Sequence, residues 1–163
     1  MRAPRVPVRQ QPLPWCDPVT LALALADRFG REGLVWLDGD DSPLGQGGVL
    51  AVAPVACHSC RGLPGDADAQ DPFRTLELIE QQGGAWLGWL AYEAGAWVEP
   101  GPHWRRPAMA TLWAARYPAL LRWQRHGRRL WIEAEDTPAG AERLQALQQL
   151  VEALPDHPGA CLL

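Results

Sequence analysis

Gly84-Ala-Trp-Leu-Gly-Trp-Leu-Ala-Tyr-Glu-Ala-Gly95, running on through Ala-Trp-Val-Glu to Pro100, is the stretch whose reading decides the fold. Drawn as a strand, it points Leu87, Trp89 and Ala91 to one side and Trp86, Gly88, Leu90 and Tyr92 to the other. Both sides are apolar, so both are expected to be covered, as on an interior strand rather than an edge. Gly84 and Gly88 weaken a strand unless another backbone comes close or the strand bends. Trp86, Trp89 and Trp97, once buried, contribute on the order of 1.5–3 kcal/mol each. The stretch predicts a core strand of a domain that mixes helix and sheet.

Working outward, the same helix-start chemistry occurs three times. Asp17-Pro18, Asp71-Pro72 and Thr137-Pro138 each place a capping side chain before a proline at the first helical position. The first helix runs to about Phe29, with Leu21, Leu25, Arg28 and Phe29 on one side and Leu23 and Ala24 widening the apolar face. The second carries Phe73, Leu76 and Ile79 or Glu80 at helical spacing and ends at Gly83-Gly84. The third runs to about Leu154 over a stripe of Leu144, Leu147, Val151 and Leu154.

Between the helices, Leu34–Asp38 reads as a short strand and Val49–Cys60 as one strand broken or bulged near Pro54. Met109–Trp123 reads as a long strand interrupted at Pro118, pairing back through His126-Gly127 onto Leu130–Ala134. Residues 1–14 read as an extended, proline-rich arm, residues 15–154 as one domain and residues 155–163 as a linker cut short. The order of elements predicts an α+β fold with mostly antiparallel sheet and about three helices.

Composition narrows the function classes. At 163 residues the chain fits one domain able to bury roughly 70% of its unfolded surface. Fifteen cations against nineteen acids give a net charge of −4, so no general basic field for nucleic acid is present. No apolar run approaches the ~20 residues of a membrane span, and no secretory core follows the basic N-terminus. The expectation is a cytoplasmic protein with reduced cysteines.

Few constellations suggest chemistry. Cys57-His-Ser-Cys60 has the spacing of half a zinc site or of a redox pair, but it lacks a matching second pair and sits at a strand end. Two ordinary thiols are the simpler reading. Asp38-Gly-Asp-Asp-Ser42 lacks the sixth-position glycine and twelfth-position acid of a calcium loop. Gly45-Gln-Gly-Gly48 could cradle a phosphate but leads into a strand without a Lys-Ser/Thr. Arg105, Arg106, Arg122, Arg125, Arg128 and Arg129, with Trp104, Trp123 and Trp131 nearby, admit an RNA-binding reading beside the simpler one of charged turns bordering strands.

The run Gly84-x-Trp86-x-Gly88-Trp89-Leu90-x-Tyr92-Glu93-x-Gly95 resembles the signature segment in the N-terminal domain of the chorismate-utilising synthases, anthranilate synthase component I and aminodeoxychorismate synthase component I. Ala85 and Ala91 stand where that family often has glycine. The likeness extends to Val49-Leu-Ala-Val-Ala-Pro54, to Pro107-Ala-Met-Ala with Arg116-Tyr117, and to the turn through His126. It covers about Trp15 to Leu154. The Leu13-Pro-Trp15 entry and the Trp-Leu-Asp-Gly loop tilt it toward the aminodeoxychorismate branch of folate synthesis, with the anthranilate branch of tryptophan synthesis as the alternative.

The resemblance implies a non-catalytic domain. In that family chorismate, magnesium and the catalytic groups belong to a C-terminal domain, and a glutamine amidotransferase subunit delivers ammonia. The implied partners are therefore that domain and that subunit, with no cofactor on this chain. The family's N-terminal domain also contributes to a tryptophan pocket. Its Leu-x-Ser element falls on Leu37, Asp38 and Gly39, and its Gly-Arg-(Tyr/Phe) element on Gly45, Gln46 and Gly47, so the hydroxyl, guanidinium and ring are all missing. Weak or absent tryptophan binding is expected. A competing class is a stand-alone module that holds an aromatic ligand or docks on a partner.

Overall fold

The computed structural model describes residues 6–39 and 47–154. Among them, eight strands form two antiparallel sheets accompanied by three α-helices and a 3-10 helix, which is the α+β class expected. In chain order these are β1 (Val8–Leu13), α1 (Pro18–Phe29), β2 (Val35–Asp38), β3 (Gly48–Ala51), β4 (Ala56–Cys60) and α2 (Pro72–Gln82). Then come β5 (Ala85–Leu90), the 3-10 helix Tyr92–Trp97, β6 (Leu112–Tyr117), β7 (Ala119–Gln124), β8 (Arg129–Glu135) and α3 (Pro138–Ala153). Two compact units result. One is the continuous segment Val55–Arg116; the other joins Val6–Pro54 to the chain from Tyr117 onward.

The three helix starts form as their chemistry dictates. Asp17 Oδ2 accepts from the Val19 and Thr20 amides at 2.9 and 3.3 Å, and Asp71 Oδ1 from Phe73 and Arg74 at 2.9 and 3.4 Å. Thr137 Oγ1 accepts from the Gly140 amide at 3.0 Å. Asp17→Ala and Asp71→Ala are each expected to lower stability by about 0.5–2 kcal/mol, read from urea midpoints. Gly140 behaves differently. Alanine ordinarily favours a helix by about 1 kcal/mol over glycine. Here a Cβ would stand 2.0 Å from the Glu135 carbonyl oxygen. Gly140→Ala is therefore expected to lower the urea midpoint instead of raising it.

The five-stranded sheet has the order β1-β8-β7-β3-β2. Leu50, Leu121, Trp123, Leu130 and Ile132 are buried in one core with Leu21 and Leu25 of α1 and Leu147 and Val151 of α3. Leu144 and Leu154 pack at its margin, completing the stripe read in the sequence. Leu23 does not widen the buried face of α1; it is exposed. The N-terminal arm docks: β1 pairs with β8 from Val8 opposite Glu135 to Leu13 opposite Leu130. Pro12 is tolerated there because an edge strand has no ladder bond to lose on its outer side.

Two single strands of the sequence reading are each two strands. Val49–Cys60 divides into β3 and β4, and Met109–Trp123 into β6 and β7, with the members of each pair in different sheets. The breaks fall at Pro54, behind Ala53 with φ 49°, and at Pro118. Proline has no N–H for the ladder, so at both places the chain leaves one sheet and enters the other.

The three-stranded sheet has the order β4-β6-β5, so the interior-strand expectation for the signature segment is wrong: β5 is an edge. Trp89 and Leu90 are 42% and 46% exposed. The two-sided apolar pattern has another origin. Trp86 packs with Leu76 and Ile79 of α2 beside Cys60, Leu112 and Ala114, while Trp89 stacks on Trp113 at 4.9 Å within its own sheet. After Leu90 the chain turns into the 3-10 helix and Tyr92 points outward, 86% exposed. The expectation for Gly88 holds. A Cβ there would lie 2.0 Å from the Trp113 carbonyl oxygen and 2.7 Å from Ala114 Cα.

Candidate functional site

The pocket positions suggested by the sequence gather at the end of the β2–β3 hairpin. Leu37 lies opposite Val49 and Asp38 opposite Gly48, and the Gly39 amide donates to the Gly47 carbonyl at 2.9 Å. Leu37, Asp38, Gly39 and Gly47 are thus brought together; Gln46 lies outside the described residues. Their chemistry is already satisfied. Asp38 accepts from Arg125 Nη2 at 2.6 Å, and Leu37 is half exposed.

Trp123, 1% exposed, fills the space behind this hairpin. A Cβ at Gly48 would meet its ring at 2.1 Å, and one at Gly47 its carbonyl oxygen at 1.8 Å. The glycines let the hairpin close on the chain's own indole, whose Nε1 is buried without a hydrogen-bond partner among the described residues. The acidic and glycine-rich loops fall mostly outside the described residues. Of the second, Gly47 and Gly48 are seen, and Gly48 opens β3 as the sequence suggests.

Cys57 and Cys60 sit on β4, three residues apart, so the pleat turns them to opposite sides. Cys57 is exposed, whereas Cys60 is buried and donates to Thr75 Oγ1 at 3.1 Å. His58, between them, stacks on Trp86 at 5.2 Å. This geometry gives two separate thiols. Burial, aided by the Asp17 charge, pushes the Cys16 thiol above its ordinary value. Among the described residues no group of three or more His, Cys, Asp or Glu side chains could hold a metal ion.

Five of the six arginines of the basic cluster are engaged by polar groups of the chain itself, Arg129 through Gln124 Oε1 at 3.5 Å. Arg105 donates to the Pro102 and Trp104 carbonyls, and Arg106 pairs with Asp66 and Asp68. Arg122 pairs with Glu133, and Arg125 with Asp38. The hydrogen bond from Arg106 holds the Asp68 carboxyl below its ordinary value. A depressed carboxyl stabilises above the unfolded-state value and loses that contribution as pH falls through the lower folded-state value. Both side chains are about half exposed, so the effect is expected to be small and to fade in high salt when acid titrations are followed by circular dichroism. Arg128 and Arg129 are exposed and have no carboxylate partner among the described residues.

The remaining feature is apolar. Trp89, Leu90, Tyr92, Val98 and Met109 are all exposed on the unit that carries β5. Tyr92 lies 5.4 Å from Trp104, whose indole N–H donates to the Glu99 carbonyl at 2.8 Å. The sequence carried the signal for this surface, namely the second apolar side of the segment, but read it as burial within the domain. No known family profile matches the chain, and no curated protein matches it either.

Proposed function

We propose that this chain serves as the N-terminal, non-catalytic domain of a chorismate-amination subunit, in the aminodeoxychorismate (para-aminobenzoate) branch of folate synthesis. The observation that carries the reading is the segment Gly84–Gly95. Its residues resemble the signature of that family, and it includes the edge strand of the sheet formed by the described residues, with Trp89, Leu90 and Tyr92 open to solvent. Exposed apolar side chains on both sides of one strand suit a covering domain. The antiparallel α+β architecture agrees with the same reading.

In such a subunit the reacting groups and the magnesium ion belong to the chorismate-binding domain. No cluster of described side chains here fits a metal, and no chemical step is assigned to these residues. Their role is to complete and support that domain, beside a glutamine amidotransferase that delivers ammonia. With no hydroxyl, guanidinium or ring at the pocket positions, tryptophan regulation is not part of this reading. Loss of a charged hydrogen bond alone costs about 1.5–3 kcal/mol, or one to two decades of affinity. Calorimetric titration with L-tryptophan is expected to give a Kd weaker than micromolar; micromolar or tighter binding overturns this part.

The decisive experiment supplies a chorismate-binding domain in trans. This chain alone, given chorismate, ammonia and magnesium, is expected to form no aminodeoxychorismate. Co-expressed with the domain it is expected to co-purify, and Leu90→Asp is expected to break the association while leaving the melting temperature of the free chain unchanged. Turnover by the chain alone, or failure to associate, rejects the proposal.

A further inference from the structure

Between β1 and the β7–β8 turn lies an open cleft of about 620 Å3. Pro12 of β1 stands directly opposite Trp131 of β8, and Gln124 opposite Arg129, so these side chains share one face of the sheet. Gln10 lines one side, and Arg128 with Arg129 stands at the turn. The acid on the same face, Glu133, is fully engaged. Its Oε2 holds Arg122, and its Oε1 accepts from Gln10 Nε2 and Trp131 Nε1 at 3.1 Å each. Neither guanidinium at the turn has a carboxylate partner among the described residues; Arg129 Nη1 donates to the neutral Gln124 Oε1 at 3.5 Å. Arg129 lies 5.8 Å over the Trp131 ring and Arg128 5.8 Å over Trp15.

The turn itself fixes where Arg128 stands. Arg128 has φ 49°, directly after Gly127 at 82°. The turn closes with the Arg128 amide donating to the Arg125 carbonyl at 3.0 Å. This left-handed region is disfavoured for a residue with a Cβ, and glycine or asparagine fits it with little strain.

We propose that the cleft binds a small aromatic carboxylate. A planar guanidinium offers two parallel N–H groups that match a carboxylate. The Pro12 ring and the Trp131 indole, over which Arg129 lies, supply an apolar floor for an aromatic body. The volume lies within the range of about 300–1,000 Å3 usual for small-molecule sites. A phosphate would engage the arginines but leave that floor unused. A polynucleotide would need Arg122 and Arg125, which Glu133 and Asp38 already hold. The site stands apart from the proposed chorismate-subunit role, and its test uses this chain alone.

The probe is benzoate, with acetate and inorganic phosphate as comparators, followed by the indole N–H resonance of Trp131, assigned with Trp131→Phe. Benzoate is expected to shift that resonance saturably at millimolar or lower concentration, more weakly as salt is raised. Arg128→Asn and Arg129→Gln are each expected to weaken binding about ten- to a hundredfold, while Arg105→Gln leaves it unchanged. Because asparagine tolerates the left-handed backbone, Arg128→Asn is also expected to melt no lower than the parent. Acetate or phosphate binding as tightly as benzoate overturns the proposal. So does unchanged benzoate affinity in either arginine variant.

Discussion

Gly88→Val is expected to detach β5 from its sheet and to lower stability by about 3 kcal/mol or more, beyond the usual cost of overpacking. The reason is the identity of the obstructing atoms. Where a flexible side chain stands in the way, a new Cβ pushes it aside. At Gly88 the obstacles are the Trp113 carbonyl oxygen at 2.0 Å and Ala114 Cα at 2.7 Å, both backbone of β6. The strands must separate, which forfeits ladder hydrogen bonds and the Trp89–Trp113 stack together. Urea titration measures the loss. Near-ultraviolet circular dichroism should show the stacked indole signal removed even where the rest of the protein remains folded. A variant with parental stability and an intact indole signal would mean that the two strands do not approach this closely.

The second large effect lies in the other unit. Trp123→Ala removes the largest fully buried side chain and should cost about 3–5 kcal/mol. Trp123→Phe should cost much less than its change in volume suggests. The indole N–H is buried without a partner among the described residues, so the native state bears the cost of its desolvation, about 1–3 kcal/mol, and phenylalanine removes that burden. The wide spacing between the two variants in a urea series is the expected signature. Equal losses would show that the N–H is satisfied in solution, by water or by another group.

Some of this architecture was legible in the chain and some was not, and the division follows the range of the forces involved. Asp17-Pro18, Asp71-Pro72 and Thr137-Pro138 fixed three helix starts because a cap and a proline act on the next few amides and need nothing remote. The strands around Pro54 and Pro118 were found, but their division between two sheets was not. A strand's partner is chosen by residues far along the chain, as when Leu50 pairs with Leu121. The same limit hid the arginine pairs, since Arg125 finds Asp38 and Arg106 finds Asp66 only after folding. Two-sided apolarity on β5 points to burial on both sides, and nothing local shows instead that Trp89 stacks within its own sheet while Leu90 faces solvent. The pocket positions were half legible. Leu37, Asp38, Gly39 and Gly47 do meet, yet nothing local reveals that Trp123 backs them.

The segment Val55–Arg116 begins and ends at the same place, with the Val55 amide donating to the Arg116 carbonyl at 2.9 Å and Ala56 paired with Arg116. On a ribosome that closure sets a timetable. By the time Arg116 has left the exit tunnel, everything the three-stranded sheet requires is outside, and that sheet can form. The strands made earlier must wait: β3 for β7, and β1 for β8. Until those emerge, β1, β2 and β3 hang from a nascent chain with unsatisfied edges and the apolar face of α1 uncovered. That interval is when a growing chain is most open to chaperones and to its neighbours on the same messenger.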